Sequence, residues 1–246
     1  MLDEQLEHLI RASGAIIGDR EVVVIGSQSI LPWLKKYAGK PPKVFPDILK
    51  FSMEADIIPI DDDPRKIDEI DGSIGEDSLF HNAHGYYAQG VSMKTARAPK
   101  GWLSRCYPLV NNNTWDVVGR CMHPNDLFIA KLLANRPKDR DFLAAMVECG
   151  IVRRDAVLHG LPHVPDLTDQ EMVFARNRIM ALFAGDRENI AGERQVPKSS
   201  ASSAMDRDDV DPVKKDLFEM PLIIADHDQS AGSVENSQAI SILRNE

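Results

Sequence analysis

The sequence is poor in cysteine, in long apolar runs and in positive charge. Its three cysteines, Cys106, Cys121 and Cys149, are odd in number and far apart, which argues against a disulfide framework or a cysteine zinc site. No apolar run approaches the roughly twenty residues that a membrane-spanning helix needs. The first ten residues carry acidic side chains where a secretory signal would carry Lys or Arg. These features predict a cytoplasmic protein without a membrane partner.

Positive charge is scarce, with 29 Lys and Arg against 38 Asp and Glu in 246 residues. A nucleic-acid partner would therefore have to meet a local basic patch, not a generally basic surface. Three common glycine motifs are also missing: GxxxxGK[ST], GxGxxG and GxSxG. Classes that depend on them, namely P-loop, dinucleotide-binding and hydrolase folds, have no support here.

The pattern of apolar residues predicts an α+β fold, a small mixed β-sheet with flanking helices and a helical C-terminal half. Two strands and a hairpin around the turn "NNNT" account for the sheet. Residues 61–92 read as one or two short helices broken at Gly72 and Gly75. The predicted strands and hairpin arms are 21–26, 51–58, 105–110 and 115–122, and the other predicted helices are 2–13, 123–136, 138–150, 153–160 and 168–184.

The chain divides into three predicted parts: a sheet domain over 1–122, a helical part over 123–185 and a flexible acidic tail over 186–246. The tail holds 13 acidic and 7 basic side chains and has no apolar period, which favours disorder. Two short apolar islands lie within it, at 217–224 and 239–245. They are either docking segments or incidental features of a loosely constrained tail.

The stretch "VVVIGSQSIL" joins a buried strand to a helix through Gly26 and Ser27. A glycine at such a turn lets the backbone approach a ligand closely, and free N–H groups at a helix start can bind an anion. Ser27 is expected to cap that helix. The alternative is an ordinary strand-to-helix turn without a ligand.

The next strand carries two acidic side chains in "FSMEADIIPI". Residues two apart share a strand face, so Glu54 and Asp56 point to one side and Phe51, Met53 and Ala55 to the other, the predicted core side. Two neighbouring carboxylates are useful if they share a divalent cation, since Mg²⁺ prefers oxygen ligands and often bridges substrate phosphates. The alternative is a solvated strand face.

A strand, then Gly-Ser, then a strand with acid-x-acid resembles the nucleotidyltransferase superfamily that includes DNA polymerase β. Within it the sequence is similar to bacterial nucleotidyltransferase-like proteins related to abortive-infection toxins of type IV toxin–antitoxin systems. The likeness extends over roughly 1–165. Four stretches carry it: "VVVIGSQSIL", "SMEADIIPID", "IDGSIGEDSLFHNAHGYYAQGV" and "HPNDLFIAKLLANRPKDRDF".

The resemblance implies a sheet of the nucleotidyltransferase type and a role for several residues. Gly26 and Ser27 would hold the triphosphate of a nucleoside triphosphate, and Glu54 and Asp56 would bind Mg²⁺. Lys131 would neutralise phosphate charge. Asp139 would complete the site near the metal or assist deprotonation of the acceptor hydroxyl. From the residues alone, a solvated helix face is the favoured interpretation of "KDRD", and Pro137 between the lysine and the aspartate is expected to break the helix.

The implied activity is Mg²⁺-dependent transfer of a nucleoside monophosphate from a nucleoside triphosphate to a hydroxyl of RNA or protein. A tRNA or protein acceptor and an antitoxin-like partner are the implied partners. Two alternatives stay open: a catalytically degenerate fold that senses nucleotides or binds a partner, and a metal-dependent phosphohydrolase.

The sequence departs from the superfamily pattern in two ways. The first acid is Glu54 where aspartate is common, and a third sheet carboxylate is not obvious. Asp116 is a candidate for it, but the hairpin pattern favours a side chain that faces water. Among other candidates, His81 and His84 have metal-ligand spacing but no evident third partner, so packing or capping is the favoured interpretation.

Tyr86 and Tyr87 are interpreted as packing residues. Asp126 is expected near the N-terminus of a helix, where a negative charge is stabilised by the helix dipole.

Overall fold

The computed structural model describes residues 1–37 and 44–185. The predicted flexible tail, 186–246, with its two apolar islands, lies outside the described residues. Within them the fold is α+β, as predicted: a five-stranded mixed sheet is flanked by helices and followed by a helical C-terminal stretch.

Five strands and eight α-helices make up the described part of the chain. The strands are β1 (Glu21–Ile25), β2 (Glu54–Pro59), β3 (Tyr87–Gly90), β4 (Tyr107–Leu109) and β5 (Val118–Cys121). The helices are α1 (Asp3–Ile17), α2 (Leu31–Tyr37), α3 (Pro64–Ile74), α4 (Leu79–His84), α5 (Pro124–Ala134), α6 (Asp139–Glu148), α7 (Arg154–Gly160) and α8 (Asp169–Ala184). Short 3₁₀ turns link several of them, and the one over Ser27–Ile30 leads from β1 into α2.

The sheet has the strand order β3-β2-β1-β5-β4. The pairs β1–β2 and β4–β5 are antiparallel, whereas β1–β5 and β2–β3 are parallel. The central strand β1 is a run of β-branched residues whose side chains are buried on both faces of the sheet, which the uninterrupted apolar run indicates. The predicted hairpin is confirmed as the β4–β5 pair.

One face of the sheet packs against α1 and α3. Leu6, Leu9 and Ile10 of α1 are fully buried, so the predicted amphipathic helix at the N-terminus is confirmed. The helix approaches Gly119 of β5 closely, since an added Cβ there would lie 2.5 Å from Ile10 Cδ1. Residues directly opposite each other in a sheet share a face, and Gly119 pairs with Val22, as Ile57 pairs with Val24. These four residues therefore lie on the face that α1 covers. The alternate residues of each strand lie on the opposite face.

The C-terminal helices continue the same core. Residues of α5 and α6, among them Phe128, Leu132, Phe142 and Leu143, are buried in one cluster with the sheet residues. Helix α5 contacts the 3₁₀ turn after β1, and α7 and α8 pack on α5. The sheet and the helical part therefore share a continuous core; the proposed boundary at residue 122 stays a prediction.

Three predictions about the extent of strands and helices were wrong. The second strand begins at Glu54, not at residue 51, and the predicted core residues Phe51 and Met53 are 85% and 61% exposed. Gly72 does not break α3, which runs to Ile74 and ends before Gly75.

The third error is a missed strand. Residues 87–90, predicted within a helical region, form β3 at the edge of the sheet.

In the described part of the chain, no helix is both long and apolar enough to cross a lipid bilayer.

Candidate active site

The turn after β1 is built on Gly26, whose backbone has φ +68° and ψ −165°. This conformation is open to glycine and strained for other residues. Gly26 itself occupies the cap position of the following 3₁₀ turn, and no side chain caps it, so the expectation that Ser27 caps a helix was wrong. Ser27 is already the first residue of the turn, while the Ser29 hydroxyl donates to the Gly26 carbonyl at 2.8 Å.

Gly26 lies directly against the carboxylate of Asp56. The two strands pair with Ile25 opposite Asp56, and a Cβ added at Gly26 would lie 2.0 Å from Asp56 Oδ2. Any larger residue at position 26 would collide with that carboxylate. The structure therefore joins the two sequence motifs at one point: the glycine turn and the acidic strand form a single site.

Glu54 and Asp56 share one face of β2, the face turned away from α1, and both are half-buried. Burial, followed by the charge of Glu54, raises the pKa of Asp56 from 3.8 to about 6. Hydrogen bonding with the Glu54 carboxyl acts in the same direction, while Lys131 and Arg136 oppose it. The Glu54 carboxylate is thus close enough to disfavour the charge of Asp56, a repulsion that a bound cation would relieve.

The raised pKa of Asp56 predicts a pH-dependent cost to stability in the metal-free protein. Between about pH 4 and pH 6 the folded state retains a proton that the unfolded state has lost, so the free energy of unfolding falls as pH rises through this window. Against Asp56→Asn, the wild type should be equally stable near pH 4 and less stable at pH 7, by at most about 3 kcal/mol. Urea unfolding of both proteins in EDTA across this range measures the difference; a difference independent of pH would contradict it.

Tyr87 on β3 completes the polar face beside the acids. It pairs with Glu54 across the parallel β2–β3 ladder, as Gln89 pairs with Asp56. Burial, followed by the Glu54 charge, raises the pKa of the Tyr87 phenol to about 12, and hydrogen bonding with the Glu54 carboxylate contributes. The ring lies against His81, with centroids 4.6 Å apart. The Tyr87 ring thus packs as the sequence suggested, and its hydroxyl also lies within electrostatic range of a candidate metal ligand.

We expect Tyr87→Phe to weaken Mn²⁺ binding by roughly tenfold, as loss of a group that orients a metal ligand does. Tyr86→Phe is the matched control, since that hydroxyl bonds to His8 Nδ1 at 2.8 Å, away from the acids. Mn²⁺ titration followed by electron paramagnetic resonance measures both. Equal affinities for Tyr87→Phe and wild type would show that the hydroxyl does not orient Glu54.

Lys131 and Asp139 form an ion pair, with 2.6 Å between Lys131 Nζ and Asp139 Oδ1. Helix α5 ends at Ala134, the left-handed Asn135 turns the chain, and α6 starts at Asp139, which brings the aspartate back to the lysine. Both side chains are nearly inaccessible, at 12% and 4%. Lys131 lies close enough to act on Asp56. The structure thus places Gly26 against Asp56 and brings the Lys131–Asp139 pair within electrostatic range of that carboxylate.

The remaining acidic candidates have other surroundings. Asp116 is exposed in the hairpin, which confirms that it faces water. Asp126 lies in the first turn of α5, is buried and forms a two-point ion pair with Arg105 at 2.9 and 3.0 Å.

Both histidines of α4 have protein partners. His81 Nδ1 accepts from the Asp77 N–H at 3.0 Å, and the His84 ring packs against Phe80 with centroids 4.5 Å apart. Across residues 1–37 and 44–185, no group of three or more His, Cys, Asp or Glu side chains is arranged to hold a metal ion. The candidate ligand set on β2 therefore has two carboxylates.

In a comparison with protein families, a family described as "Nucleotidyltransferase of unknown function (DUF6036)" matches residues 1–152. The match includes the glycine turn, the acidic strand, Lys131 and Asp139. Searches of curated proteins and of solved structures returned no significant similarity.

Proposed function

The chain belongs to this family of nucleotidyltransferases, and we propose that it transfers a nucleoside monophosphate from a nucleoside triphosphate to a hydroxyl of RNA or protein in a Mg²⁺-dependent reaction. One observation carries the proposal: the Asp56 carboxylate lies against Gly26, at the point where a metal ion and a triphosphate would have to meet. Neither a plain strand-to-helix turn nor a solvated acidic strand requires that contact.

Glu54 and Asp56 are the proposed Mg²⁺ ligands. The raised pKa of Asp56 fits this role, because two partly buried carboxylates side by side form a strongly negative site. When bound, Mg²⁺ would neutralise charge on the phosphate oxygens. Tyr87, on the adjacent strand, is proposed to orient Glu54.

Gly26 and Ser27 are the proposed triphosphate contacts, through backbone N–H groups at the start of the 3₁₀ turn. Lys131 would add positive charge, and its pairing with Asp139 favours a positioning role for that aspartate. Deprotonation of the acceptor by Asp139 is the alternative. In the proposed step the acceptor oxygen bonds to the α-phosphorus, the bond from the α-phosphorus to the β-phosphate oxygen breaks, and pyrophosphate leaves as the hydroxyl loses its proton.

A catalytically degenerate domain that senses nucleotides or binds a partner is the second candidate. The observation that favours it is the two-carboxylate ligand set on β2, in place of three. A toxin-like role with an antitoxin-like partner is a finer proposal, which rests on the sequence resemblance alone.

The test is incubation of the purified protein with each α-³²P-labelled nucleoside triphosphate, Mg²⁺, total tRNA and cell extract. Glu54→Gln/Asp56→Asn is the matched control. Label transferred to a macromolecule by the wild type alone supports the proposal and identifies the nucleotide and the acceptor class. Nucleotide binding without transfer would favour the sensor, and labelled nucleoside monophosphate released into water would favour hydrolysis.

A further inference from the structure

Four basic side chains lie where α5, α6 and α8 meet. We call them the α5–α6 cationic cluster: Lys131, Arg136, Arg140 and Arg178. Arg178 reaches from α8 to the end of α5, where its Nη1 donates to the Leu132 carbonyl at 3.2 Å and to Asn135 Oδ1 at 2.6 Å. These bonds fix the half-buried guanidinium at the α5–α6 turn. Burial, followed by the charge of Arg140, lowers the pKa of Arg178, so the two guanidinium groups lie near each other.

At the outer end of the cluster, the charges that act on Arg178 are those of Arg140 and Asp139. Asp139 opposes the effect of Arg140 on Arg178, yet its Oδ1 is already bound by Lys131 at 2.6 Å. Arg136 and Arg140 are exposed. Like charges held close together are unfavourable unless an anion joins them. In a chain of net charge −9, such a group of like charges indicates a site for an anionic ligand.

The cluster extends outward from the candidate active site. Lys131 and Arg136 lie close enough to lower the pKa of Asp56, whereas Arg140 acts on Arg178 at the α8 end. A triphosphate at Gly26 and Ser27 would occupy the inner end. The outer end is then available for phosphates of a second molecule, and arginine guanidinium groups suit phosphate oxygens because they donate two parallel hydrogen bonds.

We propose that the outer part of the cluster, Arg140 and Arg178, binds backbone phosphates of a polynucleotide acceptor. This inference rests on the proposed function and deepens it, because it makes the acceptor a nucleic acid in place of a protein. The acceptor hydroxyl would be presented toward Asp56 while the adjoining phosphates contact α6 and α8.

Binding of a fluorescein-labelled single-stranded RNA of mixed sequence, followed by anisotropy over a salt series, tests this proposal without turnover. Arg140→Gln removes an exposed charge from the cluster. Arg176→Gln is the matched control, since Arg176 is exposed on α8 but two residues from Arg178, about 200° around the helix. We expect Arg140→Gln to bind RNA roughly tenfold more weakly and to lower the salt slope by about 0.7, the value for one phosphate contact on a single strand. Arg176→Gln should match the wild type.

Three results would overturn the proposal. Equal RNA binding by the two variants would remove the site. Weaker binding of Mg²⁺–nucleoside triphosphate by Arg140→Gln with unchanged RNA binding would assign the cluster to the triphosphate. If poly-glutamate displaced the labelled RNA as strongly as unlabelled RNA of equal charge does, an acidic protein would be favoured as the ligand of the cluster.

The Glu54→Gln/Asp56→Asn variant separates this inference from the proposed function. It should bind RNA at least as tightly as the wild type while lacking transfer, because the arginines are retained and two nearby negative charges are removed. Absence of transfer by the wild type, with Arg140-dependent RNA binding present, would contradict the proposed chemistry and leave the phosphate site intact.

Discussion

Replacing Asp56 with asparagine is expected to reduce nucleotidyl transfer by roughly a thousandfold or more, because metal-ion stabilisation of transition-state charge contributes several kcal/mol. Asparagine has nearly the same shape and fits beside Gly26, but it lacks the negative charge that holds the cation. At pH 7 the variant should also be at least as stable as the wild type, since burial and Glu54 disfavour the Asp56 charge. Steady-state transfer assays and urea unfolding measure the two effects.

Asp116→Asn provides the control for this experiment. Asp116 is an exposed carboxylate in the hairpin, and its φ of +62° suits asparagine as well as aspartate. Its substitution should leave both activity and stability unchanged. Full activity in Asp56→Asn, or a loss equal to that in Asp116→Asn, would rule out a metal-binding role for Asp56.

Substitution of Gly26 with alanine should affect both stability and activity. Two costs add up: a side chain at φ +68° and ψ −165°, and a Cβ 2.0 Å from Asp56 Oδ2. Together they are expected to lower the free energy of unfolding by about 3 kcal/mol, which corresponds to a Tm lower by roughly 10 °C. Displacement of the Asp56 carboxylate should also abolish metal-dependent activity.

Gly18→Ala measures the cost of a positive φ without a collision. Gly18 has φ +69° and ψ +20° at the end of α1, in the ordinary left-handed region, and nothing lies within 4 Å of an added Cβ. The cost there should be about 1 kcal/mol with full activity. Calorimetry and transfer assays on the two variants give the comparison. Similar losses in both would mean that the close approach to Asp56 has no functional consequence.

Much of the central site could be predicted from local sequence. The β-branched run before Gly26 specifies a buried strand, and the alternation of Glu54 and Asp56 places both carboxylates on one face. These patterns depend on neighbouring residues only. The start of β2 was harder to predict, because the apolar Phe51 and Met53 continue the alternation although both are exposed.

Features that depend on distant residues could not be derived in this way. Tyr87 gains its significance from pairing with Glu54, 33 residues earlier, in an edge strand of only four residues. The turn at Asn135 that returns Asp139 to Lys131 requires a left-handed residue, which asparagine permits but does not specify. Arg178 gave no local signal, since only the packing of α8 on α5 brings it to the cluster.

Whether Glu54 and Asp56 hold a metal ion is tested by Mn²⁺ binding to the wild type and to Glu54→Gln/Asp56→Asn, with and without a nucleoside triphosphate. Electron paramagnetic resonance at pH 7.5 would count the bound ions and report the affinity. We expect one Mn²⁺ site in the wild type, with tighter binding when nucleotide is present, and no site in the variant, with both proteins folded. Equal Mn²⁺ binding by the two proteins would mean that these two carboxylates do not form the metal site.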